Sequence, residues 1–397
     1  MQNKIYDIAI VGSGLVGSSL VVALHKLNVE FNLNLNIVII DKKTRLEISQ
    51  QLNPELDNRG IVLSRSSIDF LQDIQLWRNL LEQSYKINQI HISEQDSFGC
   101  VFLESKKFNL DYFGYLIPIA DLINTLNIQI NCTKLTQAVK AVKQNLDSKN
   151  WQIILDNNES IESKLLIASD GDNSFVREYL NIPTKVIDYQ KKSLVANLNS
   201  GHTRAFQRFT KHGIYALLPF GKNKSKFILS GPNNIIDYYL QEINNKELIA
   251  QINHTMSGRI PIVTEIEHKT SYNLKLIQAL QITGSRLILI GNAANTLPPV
   301  MAQGYNLGLR DVAVLVKLFK ASLFENKNID YNFILNKYAS LRAEDHRVTT
   351  EAAHCVTNIF EHNSAIIKTL RKIGLAGVGL SLPNKNKIVY QGVGYAT

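Results

Sequence analysis

The sequence predicts an α/β fold: a Rossmann-like domain, split by an inserted, mostly antiparallel β-sheet and followed by a helical C-terminal region. Three observations predict it. The N-terminus reads as an apolar strand, a glycine turn and a helix. Two later apolar strands, near 165–168 and 287–290, also end in small polar turns that run into helices. Between those two lie several segments of alternating hydrophobicity, the period of half-buried strands.

The first element is "YDIAIVGSGLVGSSLVVALHKL", a strand over about 6–11 followed by a turn and an amphipathic helix. Gly12, Gly14 and Gly17 fit G-x-G-x-x-G. A physical reason stands behind each glycine. Gly12 allows a tight turn, Gly14 lets a pyrophosphate approach the backbone, and Gly17 lets helix and strand pack closely. Leu15 opens the helix, whose N-terminal N–H groups and dipole favour an anion. The next strand, "LNIVIID", ends in Asp41, 24 residues after Gly17. That is the place of a carboxylate that binds ribose hydroxyls, and an acid there disfavours a 2′-phosphate. The predicted ligand is FAD or NAD.

The second strand, in "LLIASDGDNSFVREYL", delivers Asp170 and Gly171 to a turn, with Ser174 and Arg177 following in a helix. The third, in "LILIGNAANTLPPVMAQGYNLGLRD", passes from Gly291 and Asn292 through two prolines to Gln303, Gly304 and a long helix. Between them, "SLVANL", "RAFQRF", "GIYALLPF", "KFILSG" and "PIVTEIEH" read as strands, interrupted by a helical interval, "IDYYLQEINNKELIAQI".

These segments together resemble the group A flavin aromatic hydroxylases, and most closely their ubiquinone-biosynthesis branch. The glycine turn, the mid-chain Asp170-Gly171 and the late Gly291-Asn292 stand where that family carries its three cofactor motifs. "DNRGIVLSRSSIDFLQDIQLW" (57–77), "HISEQDSFG" (91–99), "AFQRFTKHGIYALLPF" (205–220), the 291–311 stretch and a C-terminal "GVG" (392–394) are similar to further signatures of the branch. The resemblance implies a para-hydroxybenzoate-hydroxylase-like architecture. Its FAD-binding segments are 1–88, 105–182 and 281–330, a hairpin at 89–104 joins a substrate sheet at 183–280, and 331–397 is helical.

It further implies a cofactor site of Gly12, Gly14, Leu15, Gly17, Asp41, Arg59, Asp170, Gly171, Asn292, Ala302, Gln303, Gly304, Tyr305 and Asn306. Ligand sites favour domain interfaces, so the substrate is expected between the inserted sheet and the flavin. Gln207, Tyr215, Leu217 and Pro219 are candidate wall residues, with plain sheet packing the alternative for each. Pro299 would pass beneath the flavin ring as a further candidate of the catalytic site. The implied activity is hydroxylation of a polyprenylated phenol in ubiquinone synthesis through a C4a-hydroperoxyflavin, closest to the 2-polyprenyl-6-methoxyphenol step. NAD(P)H or a separate reductase supplies electrons and dioxygen the oxygen atom. Hydroxylation of a small soluble aromatic, flavin dehydrogenation and a non-catalytic flavin scaffold are the rival readings. Three positions depart from the family pattern: Asn292 replaces Asp, Asn295 and Pro298 replace His, and Ala302 replaces a glycine. If φ is positive at 302, Ala302 carries strain of about 1 kcal/mol or more.

Composition agrees with an ordinary folded chain. Of 397 residues, 45% are hydrophobic and 19% charged, enough for a large core. The net charge of +9 is spread along the chain without an aromatic-basic RNA motif, so no nucleic-acid partner is expected. Cys100, Cys132 and Cys355 are far apart, which suits a reducing compartment and a cytoplasmic location. No run of 18 uncharged apolar residues occurs, so no membrane span is expected.

No metal site and no G-x-S-x-G are legible. His202, His212, His254, His268, His346, His354 and His362 lack ligand spacing and read as surface residues. Residues 332–362 read as a long helix. Beyond it, Ile366, Ile367, Leu370 and Ile373 oppose Lys368, Arg371 and Lys372, a pattern that packs on its own domain, lies on an anionic membrane or meets a protein of a quinone-synthesis assembly.

Overall fold

The computed structural model describes residues 5–42, 59–97, 100–299, 302–326, 328–358 and 393–394. The basic amphipathic stretch at 364–373 lies outside the described residues, as do Asp57 and Met301.

The first sheet is parallel at its centre. Its order is Leu287–Leu289, Ser160–Ala168, Ile5–Val11, Ile37–Ile40 and Thr133–Leu135, with an antiparallel pair, Val139–Gln144 and Trp151–Leu155, added beside Ser160–Ala168. Alternation decides which residues face which layer. Ile8, Ile10, Ile39, Leu165, Ile167 and Ile288 point to a core shared with residues of the helices Leu15–Glu30 and Gly304–Asn326. Ala9, Val11, Val38, Leu166 and Leu289 point to the other face, where Trp151 and Ile153 cover them. Burial on both faces explains why these strands are nearly continuous apolar runs.

Among the described residues, the second sheet has eight strands and is antiparallel except for one pair. Its order is Asn295–Thr296, Ile266–Ala279, Thr184–Leu198, Ser225–Pro232, Gly213–Pro219, Ala205–Thr210, Gln89–Glu94 and Cys100–Glu104. The parallel pair joins Ala205–Thr210 to the hairpin strand Gln89–Glu94. One face of this sheet packs Tyr215, Leu217, Phe227 and Leu229 on Leu248, Ile252 and Met256 of the helix Asn245–Met256. A small third sheet has the order Gly60–Ser64, Gly114–Pro118 and Tyr85–Ile87.

Two strands are longer than the alternation suggests. The expected strand at 261–268 begins only at Ile266 and runs on to Ala279, paired with the 15-residue Thr184–Leu198. Their shared ends are half-exposed on both faces, so no alternation marks them. The long C-terminal helix spans Tyr331–Asn358.

Candidate active site

The three glycine-bearing turns meet at the ends of the central parallel strands. Gly12 has φ +101°, and a Cβ there would fall 2.5 Å from the Ser169 carbonyl oxygen, so the first and second turns touch through backbone alone. Ser169 fastens them by donating its hydroxyl to the Gly12 and Val11 carbonyls at 2.8 and 3.0 Å. A Cβ at Gly17 would lie 2.2 Å from the Gly12 carbonyl oxygen, which is why the helix can start so near the strand. Gly291 and Gly308 close on Val16 from the third turn and its helix.

Gly14 behaves differently. A Cβ there would meet nothing within 4 Å, and the same holds for Gly171 and Gly304. These positions leave cradles open where the other glycines are packed. The helix Leu15–Glu30 begins beside Gly14 with no side-chain cap and no acid in its first turn, so its dipole is left for an external anion. Ser13 donates its N–H and its hydroxyl to Oδ2 of Asp41 at 2.7 and 2.9 Å, which holds that carboxylate at the rim of the cradle.

Asp170 accepts from Ser174 Oγ at 2.5 Å and from the Val176 N–H at 3.1 Å. Burial pushes its pKa above the usual carboxylate value, and those hydrogen bonds only partly offset the rise. Arg177, 4% exposed, donates to the Ala293 carbonyl at 3.0 Å and the Asp172 carbonyl at 2.5 Å, tying the second turn to the third. Asn292 is exposed, and its carbonyl accepts from the Thr296 hydroxyl at 3.1 Å. Arg59 precedes the strand Gly60–Ser64, and its carbonyl accepts from the Ile119 N–H at 2.8 Å.

Residues after 301 serve both lining and bracing. Ala302, Gln303 and Asn306 line a cavity, and Asn306 also acts as a clamp. Its amide donates to the Val62 and Ala302 carbonyls at 2.8 and 2.6 Å and accepts from the Ser64 N–H and the Ser67 hydroxyl at 2.9 and 2.7 Å. Tyr305 turns its hydroxyl to Ser19 of the first helix at 2.8 Å, where burial raises its pKa. Both residues position the loop through protein contacts.

A family model described as an FAD binding domain matches residues 5–344. The chain belongs to that family. FAD is the cofactor, and the open cradles at Gly14 and Gly171, the uncapped helix and the anchored Asp41 would hold its phosphates and sugar. Among curated relatives, the chain is similar to the ubiquinone hydroxylase UbiM of Neisseria meningitidis, 27% identical over 96% of this chain and 83% of that protein. It is also similar to the ubiquinone hydroxylase UbiL of Rhodospirillum rubrum, 25% identical over 99% of this chain and 90% of that protein. Among solved structures it shares its fold with PqsL of Pseudomonas aeruginosa, a probable FAD-dependent monooxygenase. That match has a TM-score of 0.76 and 14% identity, over 94% of this chain and 99% of that one.

A cavity of about 270 Å³ lies between the second sheet and the loop at Pro299, Ala302 and Gln303. Its sheet wall is Ile90, Ile92, Gln207, Ala216, Leu218 and Ile228. Gln207 and Pro299 stand where the sequence placed them, at the cavity. Tyr215, Leu217 and Pro219 do not. They alternate with Ala216 and Leu218 along Gly213–Pro219, and Tyr215 and Leu217 pack in the core on the opposite face. All three are buried. The run Tyr-Ala-Leu-Leu-Pro is apolar at both parities, so its pattern could not say which set faces the cavity.

Val393 of the C-terminal "GVG" also lines this cavity, and its carbonyl accepts from the Ser66 N–H at 3.1 Å. The motif had a position in the sequence but no assigned role.

A buried polar network braces the third turn from behind. Asp311, 1% exposed, accepts from the Gly291 N–H at 3.1 Å and from Arg342 Nε at 2.7 Å, and it bonds His346 Nε2 at 2.7 Å. The other ring nitrogen of His346 meets Asn295 Nδ2 at 3.0 Å. His346 is therefore a core residue and not a surface one. Arg310 adds a bridge from Gln303 Oε1 (3.2 Å) to Asp345 (2.8 Å). The signal is present in the motif's terminal Arg310-Asp311, but their charged partners Arg342, Asp345 and His346 lie more than thirty residues away on another helix.

Ala302 adopts φ +52°, in the left-handed region. An L-residue pays about 1–2 kcal/mol for that conformation, whereas glycine does not. The expected result for Ala302→Gly is a gain of up to about 1 kcal/mol in thermal or denaturant stability, after the extra unfolded-chain entropy of glycine is deducted. A loss of stability would show that the Ala302 methyl group makes compensating contacts.

Proposed function

We propose that this protein is an FAD-dependent monooxygenase that hydroxylates the ring of a polyprenylated phenol in ubiquinone biosynthesis. The observation that carries this reading is the apolar cavity set against the FAD-binding loop, with Gln207 as a polar group on its sheet wall. The names of the curated relatives support the substrate class.

FAD supplies the reaction with dioxygen there, using electrons from NAD(P)H or a reductase. The protein's own part is positional. Ile90, Ile92, Leu218 and Ile228 exclude water from the ring, and Gln207 offers a hydrogen bond to the phenol oxygen. The helix that begins at Gly304 has no acid in its first turn, so its dipole favours negative charge at that end. Pro299 and Ala302 form the opposite wall.

No helix among the described residues is long and apolar enough to cross a membrane. We place the protein in the cytoplasm, with the basic stretch at 368–372 giving peripheral contact to an anionic membrane or to a quinone-synthesis assembly.

The test in cells is lipid analysis of a deletion strain. Accumulation of a prenylated phenol one oxygen short of the next intermediate, restored by the intact gene, is the expected result. Normal ubiquinone with a defect in a soluble aromatic pathway would overturn the reading. In vitro, Ala216→Phe should fill the cavity and reduce substrate-dependent turnover at least about tenfold while FAD stays bound, because the added ring takes the volume the substrate needs. Tyr215→Phe, on the other face, should leave turnover within about twofold. Equal effects of the two variants would contradict the assigned parity.

A further inference from the structure

We propose that Lys226 is the counter-ion for an acidic oxygen on the substrate's aromatic ring, received at the sheet end of the cavity. The proposal rests on the reading that this cavity holds a phenolic ring. Strand geometry places the side chain. Lys226 lies two residues before Ile228 and directly across from Leu218; both of those line the cavity, so Lys226 shares their face and borders the lining from just outside it. Its ammonium sits 4.4 Å from the ring of Phe220, which clusters with the cavity residues Ile87 and Ala205.

Lys226 is 2% exposed, yet among the described residues it makes no salt bridge. Its hydrogen-bond partner is the side-chain amide oxygen of Asn197, Oδ1, at 2.5 Å. Neighbouring Lys224 has its own carboxylate, Glu267, at 3.2 Å. Burial first, and the charge of Lys224 second, draw the pKa of Lys226 down to about 7. A buried ammonium held by one amide and one aromatic ring is expensive to keep. An arriving anion removes that cost, which is what a recognition site for one requires.

Two groups on such a ring supply the same chemistry. A carboxylate would pair with the ammonium directly. A phenol would pass its proton from oxygen to the neutral amine, leaving phenolate and ammonium as the pair.

The test uses the FAD-loaded protein and three ligands with one shared tail: 3-prenyl-4-hydroxybenzoate, 2-prenylphenol and prenylbenzene. Binding is read from the perturbation of the flavin spectrum. Wild type should prefer an acidic ligand over prenylbenzene, and Lys226→Met should weaken that ligand at least about 30-fold, the scale of a truncated buried charge pair. Asn197→Asp should do the same by supplying an internal carboxylate in the ligand's place, and it serves if the methionine variant does not fold.

A preference confined to the acid identifies the carboxylate as the anion; a preference already present for the phenol identifies the phenolate. If both variants bind all three ligands as wild type does, the proposal is overturned. The two readings fail separately. Hydroxylation with indifferent Lys226 variants defeats the counter-ion alone, whereas acid preference without any hydroxylation defeats the functional reading alone.

Discussion

Gly14→Leu should yield a folded protein that has lost FAD, with affinity lower by at least about 100-fold, or roughly 2.7 kcal/mol. The backbone at Gly14 has φ −63° and ψ −178°, a conformation open to any residue, and a Cβ there meets no protein atom within 4 Å. The leucine therefore costs the apoprotein little. What it removes is the space and the N–H approach that a pyrophosphate needs at the helix N-terminus.

Gly17→Val provides the contrast. Its side chain would drive into the Gly12 carbonyl and the Ser169 hydroxyl, at 2.2 and 2.5 Å from the new Cβ. That variant should lose stability by overpacking, at a cost of about 1–3 kcal/mol or more. Flavin absorbance after gel filtration and a thermal melt of each variant separate the two effects. A Gly14→Leu protein that keeps its full yellow colour would remove that turn from the cofactor site.

The second large effect is expected at Arg342. This side chain pairs with Asp311 at 2.7 Å and with Asp345 at 2.5 Å, and it is 4% exposed. Arg342→Met takes the guanidinium from Asp311, which keeps His346, Tyr338 and the Gly291 N–H, and breaking a buried pair from one side costs about 3–5 kcal/mol. The damage should reach the cofactor, because Asp311 holds the backbone of Gly291. FAD retention and denaturant midpoint are expected to fall together.

Acid should act on the same network. Burial raises the pKa of Asp311, but the charges of His346 and Arg342 outweigh it and leave the value below the usual 3.8. Asp345 is likewise held low against burial, by Arg310 and Arg342. A depressed folded-state pKa means that the unfolded chain binds protons first as pH falls. The stabilisation is present above about pH 4 and is lost below it. Wild type should therefore show a steep loss of stability below that pH, and Arg342→Met a shallower one. Identical acid profiles would place the pH dependence elsewhere.

Much of this architecture is legible in the sequence because each of its parts has a local cause. The cofactor turns are visible as glycines between an apolar strand and a helix: close backbone approach excludes a side chain at Gly12 and Gly17, and Gly14 leaves space open at the helix N-terminus. Ala302 stands out for the same reason, and its φ of +52° follows the backbone the loop needs and not the preference of alanine. The inserted sheet shows itself by alternation, but alternation in an all-apolar run carries no sign. That ambiguity placed Tyr215 and Pro219 in the site in place of Ala216 and Leu218.

What stays hidden is non-local pairing. His346 looks like any helical histidine until the fold sets it between Asp311 and Asn295. Lys226 looks like a surface lysine in "SKFILSG" until its strand is paired on both sides. Arg177 and Asn306 were in view as motif residues, but each binds one loop to another, which no spacing along the chain reveals.

The proposed reaction is oxygen transfer to a phenolic ring held in the cavity. It is tested most directly by incubating the purified, FAD-loaded protein with 2-prenylphenol, an electron donor and isotopically labelled dioxygen, and weighing the product by mass spectrometry. The expected product is ring-hydroxylated and carries one oxygen atom derived from dioxygen, lost in Ala216→Phe and retained in Tyr215→Phe. Donor oxidation with no oxygenated product, or a product whose new oxygen comes from water, would contradict it.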